Sequence, residues 1–149
     1  MITIQDVTPK DIPALLGMIR ELCTFHKDTC HRGLADTQAQ FINGPMHGLI
    51  AWKDDAPVGY AALQTRWQPT EPGDTVWVFH LFIREPLRGQ GIGKKLVNAS
   101  RAWAMSQGAS RLCIGAAPDN LAAAAAYRAM GWQENTGPFG PTFRMMLNE

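Results

Sequence analysis

The sequence predicts an α/β fold on a mixed, mostly antiparallel sheet, and three observations carry that prediction. Segments that alternate every second residue, or run apolar without a break, interleave with segments whose apolar residues recur every three or four positions. Their order is β-α-(α)-β-β-β-α-β-α-β-β, which gives about seven strands and about four helices. No linker and no internal repeat divides the 149 residues, so a single domain covering 1–149 is expected.

Ile2 to Val7 alternates and reads as a strand. Thr8-Pro9-Lys10-Asp11 supplies a helix cap, a proline at the first helical position and an acidic third residue. Ile12, Leu15, Leu16, Ile19, Leu22 and Cys23 then mark one helix face up to about Phe25. A short helix is expected around Thr37 to Ile42. Leu49 to Trp52, Asp54-Asp55 and Val58 to Trp67 read as a hairpin, and Gln68 to Asp74 as a proline-containing loop. Val76 to Ile83 is a long apolar strand suited to the centre of the sheet. Ile92, Leu96, Ala99 and Trp103 form the stripe of the next helix, which Gln107-Gly108 ends. Leu112 to Ala116 is a strand, and Pro118-Asp119-Asn120 opens an alanine-rich helix ending at Met130-Gly131. Gly137 to Pro141 joins two final strands, the last running from Thr142 to Leu147.

Composition narrows the function classes. A net charge of +1 argues against nucleic-acid binding by broad phosphate neutralisation. No apolar run approaches the roughly 20 residues that cross a bilayer. The N-terminal segment has neither the basic nor the apolar region of a signal peptide. Cys23, Cys30 and Cys113 are an odd number without framework spacing, which fits reduced thiols in the cytoplasm. Cys23, His26, Cys30 and His31 match no common zinc spacing, so no metal is expected.

The chemistry concentrates in Arg88-Gly89-Gln90-Gly91-Ile92-Gly93, between an apolar strand and an amphipathic helix. The first amides of a helix lack intrahelical partners and carry the positive end of its dipole. Glycines let an anion approach them, and Arg88, Lys94 and Lys95 add full charges at the same point. Spacing separates three phosphate loops. A P-loop needs glycine where Arg88 stands and serine or threonine where Lys95 stands. A dinucleotide fingerprint counted from Gly89 needs a small residue in place of Lys94. What remains is Gln/Arg-x-x-Gly-x-Gly/Ala, filled by Arg88, Gly91 and Gly93.

The segment Leu81 to Gly93 resembles the signature of the GCN5-related N-acetyltransferases, the GNAT superfamily. Asn120 to Trp132 is similar to that family's Asn-(x)6-Tyr-(x)3-Gly-aromatic helix, and the element order agrees. The resemblance implies acetyl-coenzyme A as co-substrate, seated in a splay between the two central strands. It implies that the peptide groups of Leu81, Phe82 and Ile83 bind the pantetheine arm. The amide near Leu81 would meet the developing oxyanion. The amides of Arg88, Gly89, Gln90, Gly91, Ile92, Gly93 and Lys94 would take the diphosphate, with the Arg88 side chain a further contact. Asn120 matches the pantetheine-binding asparagine, with a plain helix cap as the alternative, and both roles can hold at once. Tyr127 matches the general acid that assists thiolate departure, with packing as the alternative. Many relatives carry a glutamate base on the central strand; Thr75 to His80 has no carboxylate. His80 is the titratable residue there, a candidate base beside ordered water or a purely structural role.

The expected activity is direct N-acetylation of a primary amine. Polyamines, aminoglycosides, amino acids and protein amines all remain open, and a small molecule is favoured. The acceptor would lie against Phe25 to Asn43, the Gln68 to Asp74 loop and the last hairpin, with Trp67 a possible wall. Asp28, Asp36, Glu71 and Asp74 are acids able to meet a cation there. An acyl-coenzyme A sensor and a partner-binding subunit are the rivals, and a homodimer fits the family.

Overall fold

The first strand, β1, spans Ile2–Asp6 in the computed structural model of the chain, which describes residues 1–116, 119–135 and 140–147. The chain divides into two compact units, Met1–Gly115 and Ala116–Glu149.

In the first unit the Asp11 carboxylate accepts from both the Thr8 amide, at 2.9 Å, and the Thr8 hydroxyl, at 2.7 Å. This closes a 3-10 turn over Pro9–Asp11 that leads into α1, Ile12–Phe25. A second helix, α2, runs Leu34–Phe41, three residues ahead of the expected start. Strands β2, Met46–Lys53, and β3, Ala56–Arg66, form the hairpin around Asp54, whose φ of 55° is the left-handed turn that Asp and Asn tolerate. Then come β4, Thr75–Ile83; α3, Ile92–Ser106; and β5, Arg111–Ile114. The sheet order is β1-β2-β3-β4-β5, antiparallel up to β4 and parallel between β4 and β5.

Five strands are present among the described residues, against an expectation of about seven. The missing pair is the last one. Residues 140–147 form no strand, and Gly137 to Phe139 lie outside the described residues. Thr142 to Leu147 has suitable side chains, but a strand is made by a ladder partner as much as by propensity. Among the described residues none pairs, and Phe143, Met145, Met146 and Leu147 are all exposed.

The sheet buries both faces. One packs Leu49, Val58, Leu63, Val76 and Val78 against Ile92 and Leu96 of α3, with Leu81 and Ile83 alongside. The other packs Ile50, Tyr60, Ala62 and Phe82 against Ile12, Leu15 and Met18 of α1. Burying one such Leu or Ile contributes roughly 1.5–3 kcal/mol, so each face is a substantial part of the core.

Two details of β4 set up the site. It pairs with β5 only over Thr75 to Val78, so Phe79 to Ile83 continue with no β5 partner. Against β3, Leu63 faces Val78 while Ala62 faces His80, leaving Phe79 as a bulged extra residue. Val78 and Leu81 therefore share the α3 face, whereas His80 and Phe82 join Tyr60 on the α1 face.

The Gln68 to Asp74 loop is tied down. Arg111 donates to Gln68 Oε1 at 2.6 Å and Thr75 Oγ1 at 2.8 Å, and pairs with Glu71 at 2.7 Å. The fully buried Thr75 hydroxyl also donates to Gln68 Oε1. Arg111→Ala is expected to lower stability by about 1–2 kcal/mol, the pair being part-exposed. A urea midpoint equal to that of the unaltered protein would contradict this anchoring.

Candidate active site

β4 leaves the sheet through a 3-10 turn, Glu85–Leu87, and the chain reaches α3 through two left-handed glycines. Gly89 has φ of 81° and Gly91, the helix cap, 83°. A side chain added at Gly89, Gly91 or Gly93 would meet nothing within 4 Å, so the turn faces open space. The Arg88 amide is already bonded to Glu85 O at 3.2 Å, and the first bond of α3 runs from Lys95 to Gly91 O. Among the described residues no amide from Gly89 to Lys94 has a backbone acceptor. The free donors thus start one residue later than the sequence suggested. With Lys94 and Lys95 exposed at the same helix start, the arrangement suits a diphosphate.

The Arg88 side chain is turned elsewhere. Its Nε donates to Ile83 O at 2.9 Å, and its guanidinium lies 4.9 Å from the Phe25 ring centre and 6.0 Å from that of Phe82. The bond from Arg84 N to Val58 O places Arg84, and by alternation Phe82 and His80, on the β3 side of the ladder. Leu81 and Ile83 then present their peptide groups to the opposite side, the edge left open where β5 stops. Phe82, included among the expected pantetheine contacts, turns its peptide groups to β3 instead.

His80 Nδ1 lies 3.1 Å from the hydroxyl of Tyr60, a fully buried phenol. Burial, then the nearby Cys23 and Cys30, pushes the Tyr60 phenol up. Burial, then the neighbouring His26, pushes the His80 imidazole down, so both groups are neutral at pH 7. When the phenol donates to Nδ1, every hydrogen of the pair has a use. When Nδ1–H donates instead, the buried phenol hydrogen has no acceptor among the described residues, which costs about 1–3 kcal/mol.

In the second unit, Asn120 Oδ1 accepts from the Ala123 amide at 3.1 Å and caps α4, Leu121–Ala129. Its carboxamide nitrogen remains for another partner. Gly131, with φ of 89°, ends the helix, and Trp132 N reaches back to Tyr127 O at 3.2 Å. That closure sets the Trp132 ring 6.3 Å from the Tyr127 ring. Tyr127 is half-buried, and burial pushes its phenol up.

Other expected contributors separate. Glu71 is neutralised by Arg111, while Asp28 and Asp36 remain exposed. Trp67 is 79% exposed. Burial pushes the thiols of Cys23 and Cys113 up, opposite to what an activated nucleophile needs. Among the described residues no three His, Cys, Asp or Glu side chains gather as metal ligands, and no helix is long and apolar enough to cross a membrane. Sequence reasoning missed Tyr60, and it placed Phe25 in the acceptor segment without its contact to Arg88. Tyr60 sits in a hairpin strand and meets His80 only through the register of β3 on β4.

A sequence profile described as the Acetyltransferase (GNAT) family matches residues 15–132. A thialysine N-epsilon-acetyltransferase of Bos taurus is 26% identical over 147 residues, covering 91% of this chain and 86% of that protein. N-acetyltransferase 8 of Homo sapiens is 30% identical over 118 residues; the match covers 79% of this chain but only 49%, about half, of the human one. The structure of AAC(6')-Iy in complex with the bisubstrate analogue CoA-S-monomethyl-acetylneamine superposes with a TM-score of 0.82. It shares 18% identity, with 97% of this chain and 99% of that chain covered.

Proposed function

The chain belongs to the Acetyltransferase (GNAT) family, and from that premise we propose that it moves an acetyl group directly from acetyl-coenzyme A to the primary amine of a small molecule. The observation that carries the reading is a continuous one: an open strand edge at Leu81 and Ile83 leads into a turn of unpartnered amides from Gly89 to Lys94. An amide-containing arm fits the edge as an added strand, and a diphosphate fits the turn. The names of the bovine relative and of the bisubstrate complex, thialysine and acetylneamine, both favour a small amine.

On this reading the turn and the edge hold the thioester in place, and catalysis rests on positioning. The amine arrives as an ammonium with a pKa of about 10.4 and must shed a proton before attack. Solvent water takes it, with His80 the competing acceptor. A main-chain amide of β4 near Leu81 meets the oxyanion. Tyr127, kept protonated by burial, donates to the departing thiolate, whose conjugate thiol has a pKa of about 8.5. Asn120 contributes its free carboxamide nitrogen to the pantetheine arm.

A thiol-release screen with acetyl-coenzyme A against amino sugars, amino acids, polyamines and peptide amines tests this. Release with at least one small amine is expected, and it would exclude an inactive acyl-coenzyme A sensor. Calorimetry detecting no association with acetyl-coenzyme A would overturn the proposal.

A further inference from the structure

We propose that Tyr60 is a positioning residue that fixes His80 in its Nε2–H tautomer. His80 thereby donates a hydrogen bond to an oxygen of the acceptor beside its reacting amine. The substrate half of this inference rests on the N-acetyltransferase reading above.

Three observations support it. Tyr60 is fully buried, and its hydroxyl has one partner among the described residues, His80 Nδ1 at 3.1 Å. A buried phenol hydrogen needs an acceptor, and Nδ1 is the acceptor within reach. That assigns the ring hydrogen to Nε2. The imidazole is itself held between Phe79, stacked at 4.8 Å, and Tyr60, edge-on at 6.0 Å, so its plane is fixed as well as its tautomer.

Nε2 has no partner among the described residues, and His80 is itself part-exposed, so Nε2 is the ring atom left for a ligand. His80 belongs to the stretch of β4 that β5 does not cover, two residues or fewer from the peptide groups of Leu81. A ligand on that edge would find a neutral, oriented N–H donor there. His26, Cys23 and Cys30 are the titratable groups felt by this pair, and no carboxylate is among them.

A neutral donor selects chemistry. It binds a hydroxyl, carbonyl or carboxylate oxygen and gains nothing from a plain alkylamine. The acceptors favoured are amines that carry such an oxygen close by, as amino sugars and amino acids do. Unsubstituted polyamines are disfavoured. The same tautomer has no lone pair at Nε2, so His80 does not take the amine's proton.

The test has a structural arm and a kinetic arm. Long-range 15N–1H spectra of the whole protein report which imidazole nitrogen carries hydrogen, and Nε2–H is expected for His80. Tyr60→Phe, which keeps the ring in the core, is expected to mix the two tautomers. In the kinetic arm, amines matched except for one hydroxyl or carboxylate are compared. The oxygen-bearing amine is expected to be preferred about tenfold in kcat/KM, the worth of one hydrogen bond. His80→Ala should remove that preference through KM. His80→Gln, which donates but cannot accept a proton at neutral pH, should restore through KM part of the preference that His80→Ala loses. An Nδ1–H tautomer in the unaltered protein would overturn the proposal. So would a His80→Gln enzyme whose kcat collapses at unchanged KM, the signature of a lost base. An intact Nε2–H signal with no amine acetylated would instead sink the acetyl-transfer reading, and the substrate assignment with it.

Discussion

Gly91→Val is expected to weaken acetyl-coenzyme A binding by about a hundredfold or more, and Gly93→Ala to leave it nearly unchanged, with opposite effects on stability. Gly91 sits at φ 83°, where a side chain costs roughly 1–2 kcal/mol, and a branched one is the worst case. Valine there shifts the cap of α3 and projects into the open space in front of the free amides. Losing two charge-assisted hydrogen bonds, at about 1.5–3 kcal/mol each, accounts for the hundredfold. Gly93 differs because it lies within α3 at an ordinary helical φ. Alanine there raises helix propensity by about 1 kcal/mol, so the protein should gain stability. Its methyl group would meet nothing within 4 Å, and alanine is a residue that the Gln/Arg-x-x-Gly-x-Gly/Ala pattern accepts at this place. Calorimetric titration with acetyl-coenzyme A, alongside urea unfolding of both variants, checks the pair. Gly91→Val binding as tightly as the unaltered protein would mean that no anion rests on this helix start.

Tyr127→Phe is expected to lower kcat about 10- to 100-fold while leaving KM for acetyl-coenzyme A nearly unchanged. General acids typically contribute 10²–10⁴-fold, and a thiolate is a mild leaving group, so the low end applies. The pH profile adds a second signature. Burial raises the Tyr127 phenol above the ordinary tyrosine value of about 10. An acid acts only while protonated, so its contribution is present at neutral pH and is lost as pH rises through that elevated value. In Tyr127→Phe the alkaline fall assigned to this group should vanish. A turnover number within a factor of two of the unaltered enzyme would rule out the acid role.

Much of this was readable from the chain, because local chemistry specified it. Thr8, Pro9 and Asp11 cap α1 as their types require, and Gly89, Gly91, Gly108 and Gly131 all adopt positive φ. The period of Ile92, Leu96, Ala99 and Trp103 marked the buried face of α3. What escaped depends on pairing. Thr142 to Leu147 reads as a final strand, yet forms none among the described residues. β5 stops at Ile114 ahead of Gly115, two residues short of its expected end. The Tyr60 contact needs the register of two strands, and Arg88 looked like a phosphate ligand because charge shows in a sequence and its Ile83 and Phe25 partners do not.

The extra residue at Phe79 acts as a phase slip written into the longest apolar run of the chain. In an unbroken ladder Val76, Val78, His80 and Phe82 would all point the same way. The slip re-addresses everything downstream, sending one imidazole toward α1 and two aliphatic side chains toward α3. Deleting that single codon would set His80 directly after Val78 and keep every downstream face, whereas closing the slip with Phe79 still in place would invert the frame from residue 80 onward and drive a polar ring in among Val58, Ile92 and Leu96. Identity at this point is therefore loosely constrained: Phe79 is half in solvent, and the bulge can exchange its residue, or lose it, without changing which layer each later side chain of the strand addresses.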